Sequence, residues 1–291
     1  VNKTVAGTVI AAFVVIDIAL VAAARIHVFG TPPESDIPVS QVADAPTSAP
    51  GEQVAYSPDV PRMAAVSLAN DGFAVSGVRG VCDAKAEPAT VRVSERSGKH
   101  AAAKPSGLTT ILAAQVGNGA AIALVGQNAD CDVVQVESRD GGRTWAEVDD
   151  VSLWHVDPQD ARRVVSPKGV GKPGCEVVSV SHVTGGTARV ACADGTLMGT
   201  GDFGKSWTQL GTLTNVRQVA FTTPSAGTAL ARHNGCAAHA FTTADGGASW
   251  VEGGCIAGEP AQGLAASTNG FAALVDDDLY VSGDAQEWTQ R

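Results

Sequence analysis

Apolar residues fall along this chain in two different rhythms. From Val5 to Ala24 (VAGTVIAAFVVIDIALVAAA) they form one run broken only by Thr8 and Asp17. As a helix rising 1.5 Å per residue this run spans about 30 Å, the thickness of a bilayer core. Beyond about residue 62 the apolar residues come in short runs, such as Val133, Val134 and Val136, or Ala237, Ala238 and Ala240, each closed by Gly, Asp or Asn. Short β-rich runs bounded by turn residues read as strands, and no long 3.6-residue period follows residue 28. The pattern predicts one helix, over 1–28, followed by an all-β region, 62–291.

One polar segment closes these runs again and again. SRDGGRTW (Ser138 to Trp145) returns as TGDFGKSW (Thr200 to Trp207) and TADGGASW (Thr243 to Trp250), at spacings of 62 and 43 residues. In each, the Asp (Asp140, Asp202, Asp245) can accept hydrogen bonds from turn amides. The Gly two places on (Gly142, Gly204, Gly247) permits a left-handed backbone, and the Trp carries a large apolar face. Degenerate copies extend the series: Ser282, Asp284 and Trp288 lack the Gly and one residue, while Ser94 and Gly98 have Arg96 at the Asp position and Ala101 at the Trp position. Self-similarity at this period signals stacked supersecondary units, each too thin to bury its own faces.

These segments resemble the Asp box, or bacterial neuraminidase repeat, of sialidases, sortilin-type receptors and photosystem assembly-factor propellers. The resemblance implies a β-propeller over residues 62–291, with Ser138, Thr200, Thr243 and Ser282 opening structural hairpins, and it is silent on activity. The spacing divides the region near 62–105, 106–150, 151–212, 213–255 and 256–291. Five blades are expected, with six as the alternative because the third unit carries an excess from Trp154 to Pro173.

Between the two regions, residues 29–61 read as a linker: Gly30 to Pro61 holds seven prolines and five acids (Glu34, Asp36, Asp44, Glu52, Asp59) and no Lys or Arg. Proline keeps such a segment extended. The net charge of −10 opposes binding to nucleic acid or anionic lipid. All six cysteines lie in the β region, an even number suited to three disulfides on the oxidising side of a membrane. Cys175 and Cys192 flank one hairpin and Cys236 and Cys255 another, which leaves Cys82 for Cys131. Length favours a retained anchor over a cleaved leader, although Ala22 and Ala24 resemble a cleavage site. Val1 as a literal GTG start, with the Ala, Val and Gly bias, suggests a GC-rich, actinobacterial envelope.

Candidate chemistry is sparse. Asp17 is the sharpest anomaly, because an acid at mid-membrane depth is costly unless paired or protonated. With Gly7 and Ala11, a small-xxx-small pair, it marks the helix face expected to meet integral membrane subunits. A sialidase would need an arginine cluster and a Tyr/Glu pair, but only Tyr56 and Tyr280 exist, and Arg62 continues as Met63, Ala64 instead of an Arg-Ile-Pro signature. Gly199, Gly201 and Gly204 spell G-x-G-x-x-G inside a repeated turn, without the helix a phosphate cradle requires. The acids Asp276 to Asp278 read as a hairpin and not a calcium loop; His233 and His239 read as surface or packing residues. No catalytic, cofactor or metal residues are assigned. The expectation is a non-catalytic, membrane-anchored accessory or scaffold subunit of an envelope complex, with an envelope glycan- or peptide-binding protein as the alternative and a glycoside hydrolase behind it.

Overall fold

The computed structural model describes residues 63–79, 82, 87–95 and 97–291. These form six antiparallel sheets in chain order. The first blade contains β1 (Ala64–Leu68), β2 (Ala74–Val78), β3 (Val91–Ser94) and β4 (His100–Ala103); the second, β5 (Thr110–Val116), β6 (Ile122–Gln127), β7 (Val133–Ser138) and β8 (Ala146–Val148). The third has three short strands, β9 (His155–Val156), β10 (Val164–Ser166) and β11 (Gly169–Gly171). The fourth holds β12 (Val177–Thr184), β13 (Thr187–Cys192), β14 (Thr196–Thr200) and β15 (Thr208–Thr212); the fifth, β16 (Val216–Phe221), β17 (Gly227–His233), β18 (Cys236–Thr243) and β19 (Val251–Ile256). The last holds β20 (Gly263–Ser267), β21 (Gly270–Val275), β22 (Asp278–Ser282) and β23 (Thr289–Gln290). The chain is therefore a six-bladed β-propeller, and five blades is corrected to six. The excess at Trp154 to Pro173 is a blade of its own. Its strands are two or three residues long and it has no Trp turn, so neither alternation nor repetition announced it.

First strands line the axis, in the order β1, β5, β9, β12, β16 and β20, with β20 returning beside β1. Such a strand has one edge inside its own sheet and one edge with free N–H groups, which need partners once water is excluded. Serines supply some of them: Ser67 Oγ accepts from Val116 N at 2.9 Å, Ser179 Oγ from Val219 N at 3.1 Å, and Ser181 Oγ from Phe221 N at 2.8 Å. Each bond ties the inner strand of one blade to that of the next.

Apolar clusters lie between blades, as thin sheets require. The Trp of each repeated turn packs back onto the preceding blade: Trp145 between the first and second, Trp207 between the third and fourth, Trp250 between the fourth and fifth, Trp288 between the fifth and sixth. Trp207 meets Trp154 edge-to-face, with centroids 6.5 Å apart, and Trp250 meets Phe221 in the same way at 6.3 Å. The turn backbone comes so close to the preceding blade's outer strand that a Cβ on Gly211 would run into the Gly247 carbonyl, and one on Gly254 into that of Gln286. Only glycine fits there.

The ring closes without strand exchange, because the first and last blades are each built wholly from one end of the β region. Ala64 N donates to Gln262 O at 2.7 Å, and Asn70 clasps the β20–β21 turn: its Oδ1 accepts from Thr268 N (3.0 Å) and Oγ1 (2.8 Å), and its carbonyl from Asn269 Nδ2 (2.7 Å). Disulfides join Cys82 to Cys131, between the first two blades, Cys175 to Cys192, and Cys236 to Cys255. Among the described residues the one helical piece is a 3-10 turn at Asn118–Ala120, and no helix there is long and apolar enough to cross a membrane. The anchor expected over 1–28, with Gly7, Ala11 and Asp17, and the linker over 29–61 lie outside the described residues.

Replacing Trp207 with Ala removes the side chain shared by two blades. Thermal or urea unfolding is expected to show a loss of about 3 kcal/mol, the lower end for a large aromatic because this ring is half-buried. An unchanged midpoint would remove the Trp from its assigned role.

Candidate binding surfaces

The repeated polar residues sit in the turn between the third and fourth strands of their blades, one turn per blade, so no two copies share a site. Their hydrogen bonds are spent within each turn. Ser138 Oγ donates to Asp140 Oδ1 (2.8 Å) and accepts from Gly142 N (2.8 Å), while Asp140 Oδ1 accepts from Arg143 N (3.0 Å) and Thr144 N (2.9 Å). Thr144 Oγ1 donates to Asp140 Oδ2 at 2.7 Å, and Trp145 Nε1 to Gly142 O at 3.0 Å. Thr200, Asp202, Gly204 and Trp207 repeat this, with Ser206 Oγ donating to Asp202 Oδ2 at 2.6 Å; Thr243, Asp245 and Gly247 do so with Ser249. In the last blade Ser282 Oγ donates to Asp284 Oδ1 (3.1 Å) and accepts from Ala285 N (2.9 Å). Ala285, at φ 63°, takes the left-handed position that Gly fills elsewhere.

Donors crowding each carboxylate favour its charged form. Asp202 falls to about 2, chiefly through the Ser206 hydroxyl, then the Ser206 amide and the Thr200 hydroxyl. Asp140, through the Thr144 amide first, and Asp245, through the Ser249 hydroxyl first, are also lowered, as is Asp284 through the Gln286 amide.

Other residues singled out by sequence have structural placements. Asp276 and Asp277, at φ 55° and 65°, make the two-residue turn between β21 and β22, the geometry of a type I′ hairpin. Asp276 also accepts from Glu259 N at 3.3 Å. His233 and His239 pack edge-to-face at 5.3 Å beside Phe241, and His233 Nε2 lies 3.1 Å from Glu252 Oε1. Gly199 belongs to β14, and Gly201 and Gly204 to the following turn. No group of three or more His, Cys, Asp or Glu with metal-site geometry occurs among the described residues.

Two concavities accompany this frame, and turn residues of the first and last blades line one of them. An axial cavity of about 260 Å³ is lined by inner strands, with Ala and Ser the commonest residues and Arg79 and His182 in its wall. Burial lowers Arg79 to about 10, which leaves it a cation at neutral pH, and its Nε has no hydrogen-bond partner among the described residues. A larger groove, of about 610 Å³, opens between the first and last blades. Its walls are apolar at Leu68, Phe271, Leu279 and Val281; its rim carries Glu95, Asp284, Glu287 and Arg291. Walls of this kind with a few polar groups at the edge, in this size range, are typical of a recognition site.

Sequence reasoning missed the groove because it belongs to a contact between the two ends of the β region. One local signal was available. Carried one residue past the last ladder pair, strand register sets Trp145 opposite Ser138, Trp207 opposite Thr200, Trp250 opposite Thr243 and Trp288 opposite Ser282. In the first blade Ser94 pairs with His100, so the Trp position is held by His100 and not by Ala101. That turn is one residue shorter than three of the others, which moved the alignment by one. Arg96 lies outside the described residues.

No known family profile matches the chain, and no curated protein sequence is similar to it. Solved structures do share its fold. The SapL1 lectin in complex with alpha methyl fucoside aligns over 79% of this chain and 95% of that one, at 12% identity and a TM-score of 0.51. YCF48 bound to D1 peptide aligns over 64% of this chain at 19% identity and a TM-score of 0.33; the chain spans 55% of its length. The PQQ-bound aldose sugar dehydrogenase from Streptomyces coelicolor aligns over 74% and 87%, at 7% identity and a TM-score of 0.45. Propellers that bind and propellers that catalyse are both present in this set, so likeness at this level reaches the fold and stops there.

The lowered acids fix a pH dependence. A depressed carboxylate contributes stability in full above its unfolded value of about 4, and the contribution is lost as pH falls through the folded value of about 2. The stability gap between wild type and Asp202→Asn is therefore expected to hold from pH 7 to about 5 and to close below about 3, read by thermal melts across that range. A gap that is constant at all pH values would show that the charge is not what holds the turn.

Proposed function

We propose that this chain is a membrane-anchored, non-catalytic interaction propeller, serving as an accessory or assembly subunit of a bacterial envelope complex. One observation carries the reading: the repeated polar residues are spent in holding the frame, while the groove between the first and last blades has an apolar wall and a polar rim. In this reading the four turns are Asp boxes that rigidify the blades, and the groove between the first and last blades is the contact surface. Asp17, with Gly7 and Ala11, is the point at which the anchor meets a second membrane helix, and the acidic linker sets the propeller's reach from the bilayer. YCF48, solved with a peptide, is an instance of a propeller in a peptide complex. An envelope glycan- or peptide-binding protein is the second reading, and the axial cavity at the propeller's mouth is the feature that favours it.

Purification of the full chain from membranes in mild detergent is expected to recover a membrane protein at near-stoichiometric level, and Asp17→Leu is expected to reduce that recovery several-fold. Recovery of the chain alone, carrying bound glycan, would favour the second reading over the first.

A further inference from the structure

Four of the six blade interfaces are filled by a Trp delivered from the turn of the following blade. The interface that closes the ring has no such delivery. Its buried cluster is small, Ala74, Ala272 and Leu279, with Val66, Leu68 and Val281 half-buried around it. His100, at the Trp position of the first blade, stays exposed, and its Nδ1 lies 2.9 Å from Ser94 Oγ, the hydroxyl that binds an Asp and a Gly amide in the other turns. The groove of about 610 Å³ sits in this interface, with Ser94 and Glu95 on one side and Val281 and Thr289 on the other. In register, Val281 is the counterpart of Val93, which lies in the cluster against which Trp145 packs. The groove thus adjoins, at Ser94, a position where the repeat would put an aromatic ring and this chain has His100.

The rim adds a charge preference. Three acids, Glu95, Asp284 and Glu287, and one base, Arg291, line the groove, in a chain whose net charge is −10. The chain's own segment from Gly30 to Pro61, with five acids and no Lys or Arg, is repelled by that rim and is a poor occupant. Exposed carboxylates supply little affinity but steer and orient a cationic partner. The apolar contacts supply the binding itself. A sugar ring is the weaker fit, because it binds best by stacking on a flat aromatic face with many hydrogen bonds, and Phe271 is the only aromatic residue among the walls.

Resting on the reading of this chain as an interaction module, we propose that the groove between the first and last blades takes an aromatic side chain flanked by Lys or Arg, presented by an extended segment of a partner protein. The aromatic ring fills the vacant Trp position, and the neighbouring cations meet Glu287 and Glu95.

The test uses the full chain in detergent micelles and a fluorescein-labelled peptide, Gly-Ser-Arg-Trp-Lys-Ser-Gly, read by anisotropy at low and physiological salt. Saturable binding is expected, weakened about tenfold or more when the peptide's Trp becomes Ala, and weakened several-fold, mostly at low salt, when its Arg and Lys become Glu. His100→Trp should fill the groove from within, raising the melting temperature and lowering peptide affinity about tenfold. Should that variant fail to fold, the wild-type chain with a peptide carrying a photoreactive phenylalanine in place of Trp gives the same answer, since crosslinks are expected within β22 and the Ser267 to Phe271 segment. Crosslinks elsewhere, undiminished binding to a folded His100→Trp, or saturable binding of methyl glycosides with none of the peptide, each overturn the proposal. If the peptide does not bind but the chain still purifies with a stoichiometric membrane partner, the groove's assignment falls while the interaction reading stands.

Discussion

Everything in this propeller follows from the inability of a thin sheet to cover itself. Each blade has two faces and an inner strand with one unpaired edge, and only neighbouring blades can bury them. The turn between the third and fourth strands answers the first need by carrying Trp back onto the preceding blade, where Gly211 and Gly254 let the backbone approach. Ser67, Ser179 and Ser181 answer the second by accepting N–H groups from the next inner strand. Stability is therefore a chain of neighbour contacts, and each contact depends on the shape of a turn.

A chain of neighbour contacts that closes on itself has one joint unlike the rest. Here it lies between blades formed at the two ends of the β region, and it is held by the Asn70 clasp and the Ala64 to Gln262 hydrogen bond instead of by shared strands. With His100 where four other turns have Trp, this joint lacks the ring that fills those interfaces and holds a groove of about 610 Å³. The groove therefore lies at one of the two interfaces that receive no Trp from the following blade.

The acids that recur in the sequence are committed to structure. Asp140, Asp202 and Asp245 each accept several hydrogen bonds inside their own turn, which explains both their lowered titration and their separation in space. Groups not absorbed in this way lie elsewhere, with Arg79 in the wall of the axial cavity and Glu95 and Glu287 on the groove rim. Function in this fold is read from what the turns hold apart.

Sequence by itself determined the strands and turns, because alternation over six to eight residues and a recurring Ser/Thr-x-Asp-x-Gly-x-x-Trp segment are local signals. It also determined the cysteine partners that the hairpins bring close. It marked the third blade only as an excess between repeats, with six blades as the alternative count, since strands such as His155–Val156 are too short to show a period. Only the tertiary structure decided the blade count, the residue at the first blade's Trp position and the groove at the joint. Each depends on strand register or on contact between residues about 200 positions apart, such as Asn70 and Thr268. A linear pattern records which residues can turn or pair, whereas closure of a ring is settled by geometry summed over all its members.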